Sequence, residues 1–425
     1  MFHALFVELH LMNPPPLPAD FPSPGVNLPG MPVAGGEATP DAATPQDAAL
    51  PVAPTVESRP TRLLRRFGHA FDTAFGLASL VAGLAVLSII PLLNFLSLGY
   101  LLHASGRVAV TGRLRDGLVG LRQASRVGSA VAGVWLLTLP VRLVAGLWQD
   151  AELIAPGSRN ARGWHLALFL LLGLTLLQGA WALIRGGRLR HFLWPAPLRA
   201  WRWLRTPGQT NNLWPGLVGF VVSLRLPHFF WLGARAFVGT VLWLLLPVGC
   251  LLAAAQLPPD RGGALLSLLG GLLLTVVALH LPFLQAHFAV EGRFRALFAV
   301  RTVRRQFQHA PIAFWFALLI TLLFALPLYL LRIELPPREL AWAPSLLFVL
   351  FIFPARLLTG WALGRARRHT APRHGVIRWL SRLAVVPVVL LYVLVVYLTQ
   401  YLSWDGTRSL LEQHAFMVPA PLTSL

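Results

Sequence analysis

The sequence predicts an all-α protein, a polytopic transmembrane helix bundle of about eight spans. Three observations carry this. First, 56% of the 425 residues are hydrophobic and 12% are charged, with a mean hydropathy of +0.64; a soluble domain carries about 25% charged residues. Second, the apolar residues fall in blocks of about 20, the length that crosses a hydrocarbon core as a helix. Third, Arg-rich and Arg-poor loops alternate between those blocks, as cytoplasmic and external loops do.

Taken in order, residues 1–58 form a Pro/Ala-rich tail. Stretches such as NPPPLPADFPSP bury too little apolar surface to offset their ordering entropy, so the tail reads as disordered. The opening MFHALFVELHLM lacks a positively charged start and is broken by Glu8 and His10, which argues against a cleaved signal peptide. It reads as a short interfacial helix, or as residues ahead of a start at Met12.

The blocks follow at 74–102, 128–148, 164–184, 236–256, 264–289, 312–331, 345–363 and 384–402. The loop 103–127 sets Arg107, Arg113, Arg115, Arg122 and Arg126 against Asp116, and 185–213 has six Arg and no acid. Residues 290–311 have five Arg and one Glu, and 364–383 six Arg and no acid. The loops between them are near neutral. This places the basic loops in the cytoplasm and the C-terminus outside. Arg59, Arg62, Arg65 and Arg66 conflict with it, because one crossing by 74–102 leaves them outside. A hairpin at Pro91 would remove the conflict but give two short arms. The single crossing is preferred because of an internal repeat.

WALIRGGR at Trp181 matches WALGRARR at Trp361, and LLTLP ending at Pro140 matches LFALP ending at Pro327. Ser79, Gly83, Phe95 and Leu96 match Ser267, Gly271, Phe283 and Leu284, while Arg202-Trp203-Leu204 matches Arg378-Trp379-Leu380. The offset shrinks from 188 to 176 along the chain. This reads as two parallel four-helix repeats, 59–256 and 257–425. Residues 212–235 have no counterpart and read as an interfacial or re-entrant segment, with Trp214 and Trp231 at head-group level.

Ionisable and strongly polar groups inside spans are costly and mark sites by default. Asn94, Arg142, His280 and Arg356 form the candidate intramembrane polar site. Snorkelling is the plainer reading of Arg142, and interhelical hydrogen bonding that of Asn94 and His280. Arg185, Arg188, Arg190, Arg199, Arg202, Arg205, Arg365, Arg367 and Arg368, interleaved with Trp, Phe and Leu, are candidate contacts for anionic lipid head groups; the plainer reading is that they fix topology. All 36 basic residues are Arg, for a net charge of +20. Because they flank apolar blocks, they fit lipid head groups rather than nucleic acid.

No Asp or Glu falls within a span. There is no HExxH, GxSxG or Walker-type motif, His spacing is not metal-like, and Cys250 is the only Cys. No catalytic, cofactor-binding or metal residues are therefore expected. His280 and His287 share a helical face, leaving haem ligation as a remote alternative.

Residues 89–112, with Asn94, Phe95, Gly99, Tyr100, Leu101, Arg107 and Gly112, resemble a segment of a family of uncharacterised prokaryotic multi-pass membrane proteins, a domain of unknown function. The resemblance implies the cytoplasmic (inner) membrane of a prokaryote and brings no activity. The expected function is non-enzymatic: movement or handling of small molecules or lipids between the two repeats. The alternative is a scaffold that binds partner proteins or anionic lipids through its Arg/Trp loops.

Overall fold

In a computed structural model, residues 59–418 are described except 207, 209–212, 259, 261, 331–342 and 404–405. The expectations for residues 1–58 lie outside the described residues. The described chain is helical, and no strand occurs among the described residues.

The long helices are α1 (Arg59–Ile89), α2 (Asn94–Thr111), α3 (Leu121–Ile154) and α4 (Arg159–Ile184). Three short helices follow: α5 (Leu189–Leu193), α6 (Pro197–Arg205) and α7 (Leu213–Ser223). Then come α8 (Leu226–Ala254), α9 (Gly263–Glu291), α10 (Val300–His309), α11 (Pro311–Leu330), α12 (Ala343–Arg368) and α13 (Gly375–Leu402). Among the described residues, eight stretches are long and apolar enough to cross a membrane: those in α1, α3, α4, α9, α11, α12 and α13, and one running from Trp214 to Ala254. Leu143, Leu170 and Leu177 stand 69%, 67% and 69% exposed on α3 and α4. Leucine presented outward along whole helices suits hydrocarbon, not water. The protein is an integral membrane protein.

Residues 74–102 do not form one helix. The chain breaks at 90–93, where Pro91 cannot continue the ladder and Leu92 takes a left-handed φ of 67°. Gly76 of α1 packs on Leu121 at the start of α3, and Ser79 packs on Gly128 further along, so α1 and α3 run the same way. α2 leads back to the start of α3 and is therefore antiparallel to α1. The hairpin, not the single crossing, is the observed arrangement. In sequence α2 is hard to separate from α1 because it is not lipid-facing. It is buried from Leu96 to Ser105 except for His103, and it carries Ser97 and Ser105 into the core.

The core is built from α2, α8, α9 and α12, which pack on one another, together with α11 and α13, which pack on α12 and α9 respectively. Small residues set the spacing. Gly99 of α2 and Gly233 of α8 each sit on the other helix's backbone, beside the carbonyls of Phe229 and Phe95. No side chain fits there, which lets two backbones touch. Gly360 and Gly364 of α12 lie in the same way on the Ser105 and Ala109 carbonyls. The α3–α4 pair meets the rest through α1.

Two further observations concern the matched stretches. Both α2 and α9 end at a left-handed glycine, Gly112 (φ 71°) and Gly292 (φ 68°), followed by a 3₁₀ turn. The sequences are AVTGRLR and AVEGRFR, 180 residues apart, the same offset as the Trp181/Trp361 pair. α9 is one continuous helix where residues 74–102 are broken in two, so the first and fifth apolar blocks differ in form. Arg202-Trp203-Leu204 lies on α6 but Arg378-Trp379-Leu380 on α13, so that match joins unlike elements. Pro140 and Pro327 both fall inside long helices, α3 and α11.

The segment 212–235 is also divided. A helix covers Leu213–Ser223, the chain kinks at Arg225 (φ 49°), and α8 starts at Leu226. Pro227 sits in the first turn, where its missing N–H costs nothing, and His228 and Arg235 belong to the long helix α8.

Candidate functional site

Helices α2, α9 and α12 end together. Arg368 of α12 donates to the Thr111 and Gly112 carbonyls at 3.3 and 3.5 Å, and Arg367 lies 3.7 Å from Glu291 and 3.4 Å from His287 Nδ1. Cations at helix C-termini offset the partial negative charge there. These two residues, expected at lipid, hold helix ends together.

The paired Trp-Ala-Leu motifs share a geometry. Arg185 stands over Trp181 with its guanidinium carbon 5.8 Å from the ring centroid, and Arg365 over Trp361 at 5.5 Å, contacts of cation–π type. Arg185 also donates to the Trp194 carbonyl at 2.7 Å, and Trp181 Nε1 to the Pro195 carbonyl at 2.9 Å. Gln178 donates to the His191 and Phe192 carbonyls. Together they fasten the 188–195 loop onto α4. Beyond it, α6 leaves Leu198 and Trp201 exposed beside Arg199, Arg202 and Arg205, with Arg205 4.3 Å over Trp201.

Behind that loop lies a cavity of about 890 Å³ between α1, the start of α3 and the start of α5. Arg122, Arg126, Arg188 and Arg190 line it, with Asp72 as the one acid among its lining residues. Gly120 and Leu121 open α3 there, and no side chain caps that helix, so its first N–H groups add to the positive field. Arg188 and Arg190 are among the lipid contacts expected from sequence. Arg122 and Arg126 enter the sequence reading only as topology signals; their four-residue spacing on one helical face was the available clue. Near the cavity, burial and then Arg185, Arg190, Arg188 and Arg199 push the His191 imidazole below its usual range.

The four intramembrane candidates do not converge. Asn94 opens α2, with Oδ1 buried and unpartnered. Arg142 is exposed on α3. His280 Nδ1 lies 2.8 Å from the Val276 carbonyl of its own helix. No hydrogen bond or ion pair links them. Only Arg356 is deeply placed, at 2% exposure near the middle of α12. It donates to Gln285 Oε1 and, at 3.0 Å, to the Phe416 carbonyl. Gln285 donates to the same carbonyl at 3.1 Å and to Thr240 Oγ1 at 2.6 Å.

Phe416 belongs to a C-terminal segment that sequence reading places wholly outside. After α13 it forms a 3₁₀ turn (Gly406–Leu411), and residues 412–416 are buried in the bundle. Tyr329 donates to the Glu412 carbonyl at 2.9 Å, Tyr392 to Gln413 Oε1 at 3.1 Å, and the His414 N–H to Tyr329 Oη at 3.3 Å. Irregular backbone inside such a bundle is stable only with partners of this kind.

Among the described residues, no group of three or more His, Cys, Asp or Glu is placed to hold a metal ion. No protein-family model, curated protein or solved structure matches the chain.

Proposed function

We propose that this is a non-enzymatic membrane protein that binds anionic lipid head groups at its basic end and serves as a scaffold there. The observation that carries the proposal is the cavity lined by Arg122, Arg126, Arg188 and Arg190. Four guanidinium groups line it with one carboxylate, and α6, next in the chain, exposes Leu198 and Trp201. Arg forks match phosphate oxygens, and each basic group near an anionic surface contributes about 1 kcal/mol. Movement of molecules between two repeats is less well supported, because α2, α8, α9 and α12 meet through backbone-to-backbone glycine contacts.

In this reading, the chain sits in the inner membrane of a prokaryote with its basic end in the cytoplasm and its C-terminal segment entering from outside. α2, α3, α4 and α8 descend from the same duplicated unit as α9, α11, α12 and α13, and α1 is an addition. The likeness of residues 89–112 to the uncharacterised prokaryotic family supports the location and adds no chemistry.

The test is native mass spectrometry of the purified chain in mixed phosphatidylglycerol and phosphatidylcholine. Retained lipid should be phosphatidylglycerol, and replacing Arg122, Arg126, Arg188 and Arg190 with Gln should abolish the preference. Equal retention of both lipids by the unaltered chain would overturn the proposal.

A further inference from the structure

Arg356 has a charge without a counter-charge. Its Nη1 and Nη2 donate to two neutral oxygens, Gln285 Oε1 and the Phe416 carbonyl, and its buried Nε has no partner. No carboxylate pairs with it among the described residues. A buried cation left in this state is costly, and such residues in membrane proteins face ligands or partners. The two oxygens it now meets come from different parts of the chain, yet they occupy both of its terminal nitrogens, as the two oxygens of one carboxylate or phosphate do.

One of those oxygens is on the segment that follows the last helix. Phe416 lies in the segment that follows α13, and its carbonyl takes donors from both Arg356 and Gln285. If that carbonyl withdrew, two convergent N–H donors would point at one vacated position, with Thr240 fixing the Gln285 amide from behind. Bonds between tyrosine hydroxyls and backbone or amide groups help to hold the segment. These bonds contribute about 1 kcal/mol net each, and Leu410, Ala415 and Phe416 are fully buried in the apolar core, so an arriving anion has to offset that burial as well.

We propose that Arg356 and Gln285 form a binding site for an oxyanion, a carboxylate or phosphate group, and that the C-terminal segment around Phe416 is its tethered internal occupant. An arriving oxyanion supplies the missing negative charge and displaces the segment. This site is separate from the basic cavity and does not depend on the lipid reading.

The experiment uses the full chain in nanodiscs, with Cys250→Ala and Ala415→Cys. Ala415 is fully buried beside Phe416, so its labelling by an impermeant maleimide reports withdrawal of the segment. Rates are measured in phosphate, in acetate and in chloride at equal ionic strength, and read as ratios to chloride, so a changed baseline does not matter. Phosphate, acetate or both should raise the rate about fivefold, as a population shift by differential binding requires. A response to phosphate alone or to acetate alone identifies which group the site takes. Adding Gln285→Glu gives Arg356 a resident carboxylate, and the ratio should fall to about one. A ratio of one for both oxyanions in the parent overturns the proposal, and so does an undiminished ratio in the Gln285→Glu protein.

Discussion

Ser88 donates its hydroxyl to that of Ser97 at 3.0 Å, nine residues along the chain. In an unbroken helix these residues would stand about 13 Å apart along the axis. The bond closes the turn between α1 and α2. It returns Arg59 to the end that holds Arg113, Arg188 and Arg368. Cysteine-accessibility or reporter fusions at residues 60, 195 and 370 should therefore report one side, and residue 260 the other. A result that sets 60 apart from 195 would restore the single crossing.

The parts of this fold that are legible in sequence are those governed by local physics. Apolar length finds the spans of α3, α4, α9, α11, α12 and α13, and Pro91 is visible as a possible turn. Matching Phe95 and Leu96 to Phe283 and Leu284 argues against the hairpin, and that match misleads. AVTGRLR and AVEGRFR share a conformational signal instead, a glycine that ends each helix in the left-handed region. Arg356 is legible because a charge inside a span is rare. Its partners are not. Gln285 is unremarkable on a mostly apolar helix, and Phe416 contributes only a backbone carbonyl. Burial of GTRSLLEQHAFMV depends on Tyr329 and Tyr392, tertiary partners that no local pattern reveals.

The close approach of α2 and α8 should be intolerant of any added side chain. Replacing Gly99 or Gly233 with Val drives a branched side chain into the Phe229 or Phe95 carbonyl. Overpacking of this kind costs about 1–3 kcal/mol, and more where backbone must move. A methyl group at Gly83 would meet nothing within 4 Å, so Gly83→Ala is the control. Thermal unfolding in detergent should separate the two classes clearly. Equal midpoints would mean that the helices separate freely.

Docking of the 188–195 loop should weaken in acid. Burial and four neighbouring Arg hold the His191 imidazole below its usual range, so the folded loop favours the neutral ring. The unfolded ring protonates near its ordinary value of about 6.5. Stability is then constant above that value and falls as the pH drops below it, because the unfolded state binds the extra proton. Hydrogen exchange across residues 186–205, corrected for intrinsic rates, should show faster opening at pH 5.5 than at pH 7.5. His191→Gln should remove most of that difference, and an identical pH response in both proteins would assign the effect elsewhere.

The contacts that gather the ends of α2, α9 and α12 are unequal, although two neighbouring Arg make them. Arg367 and Glu291 are 28% and 44% exposed at 3.7 Å, so solvent and salt screen the pair, and Glu291→Gln should cost about 0.5 kcal/mol or less. Arg368 instead reaches across to the last carbonyls of another helix, those of Thr111 and Gly112, which have no helical partner of their own. Arg368→Met should loosen the α2–α12 contact itself. The difference is measurable as exchange of the Gly112 and Arg113 amides, which should quicken in Arg368→Met and stay nearly unchanged in Glu291→Gln. Raising the salt concentration in the unaltered protein should reproduce the Glu291→Gln result, since it screens the ion pair while leaving the carbonyl contacts in place.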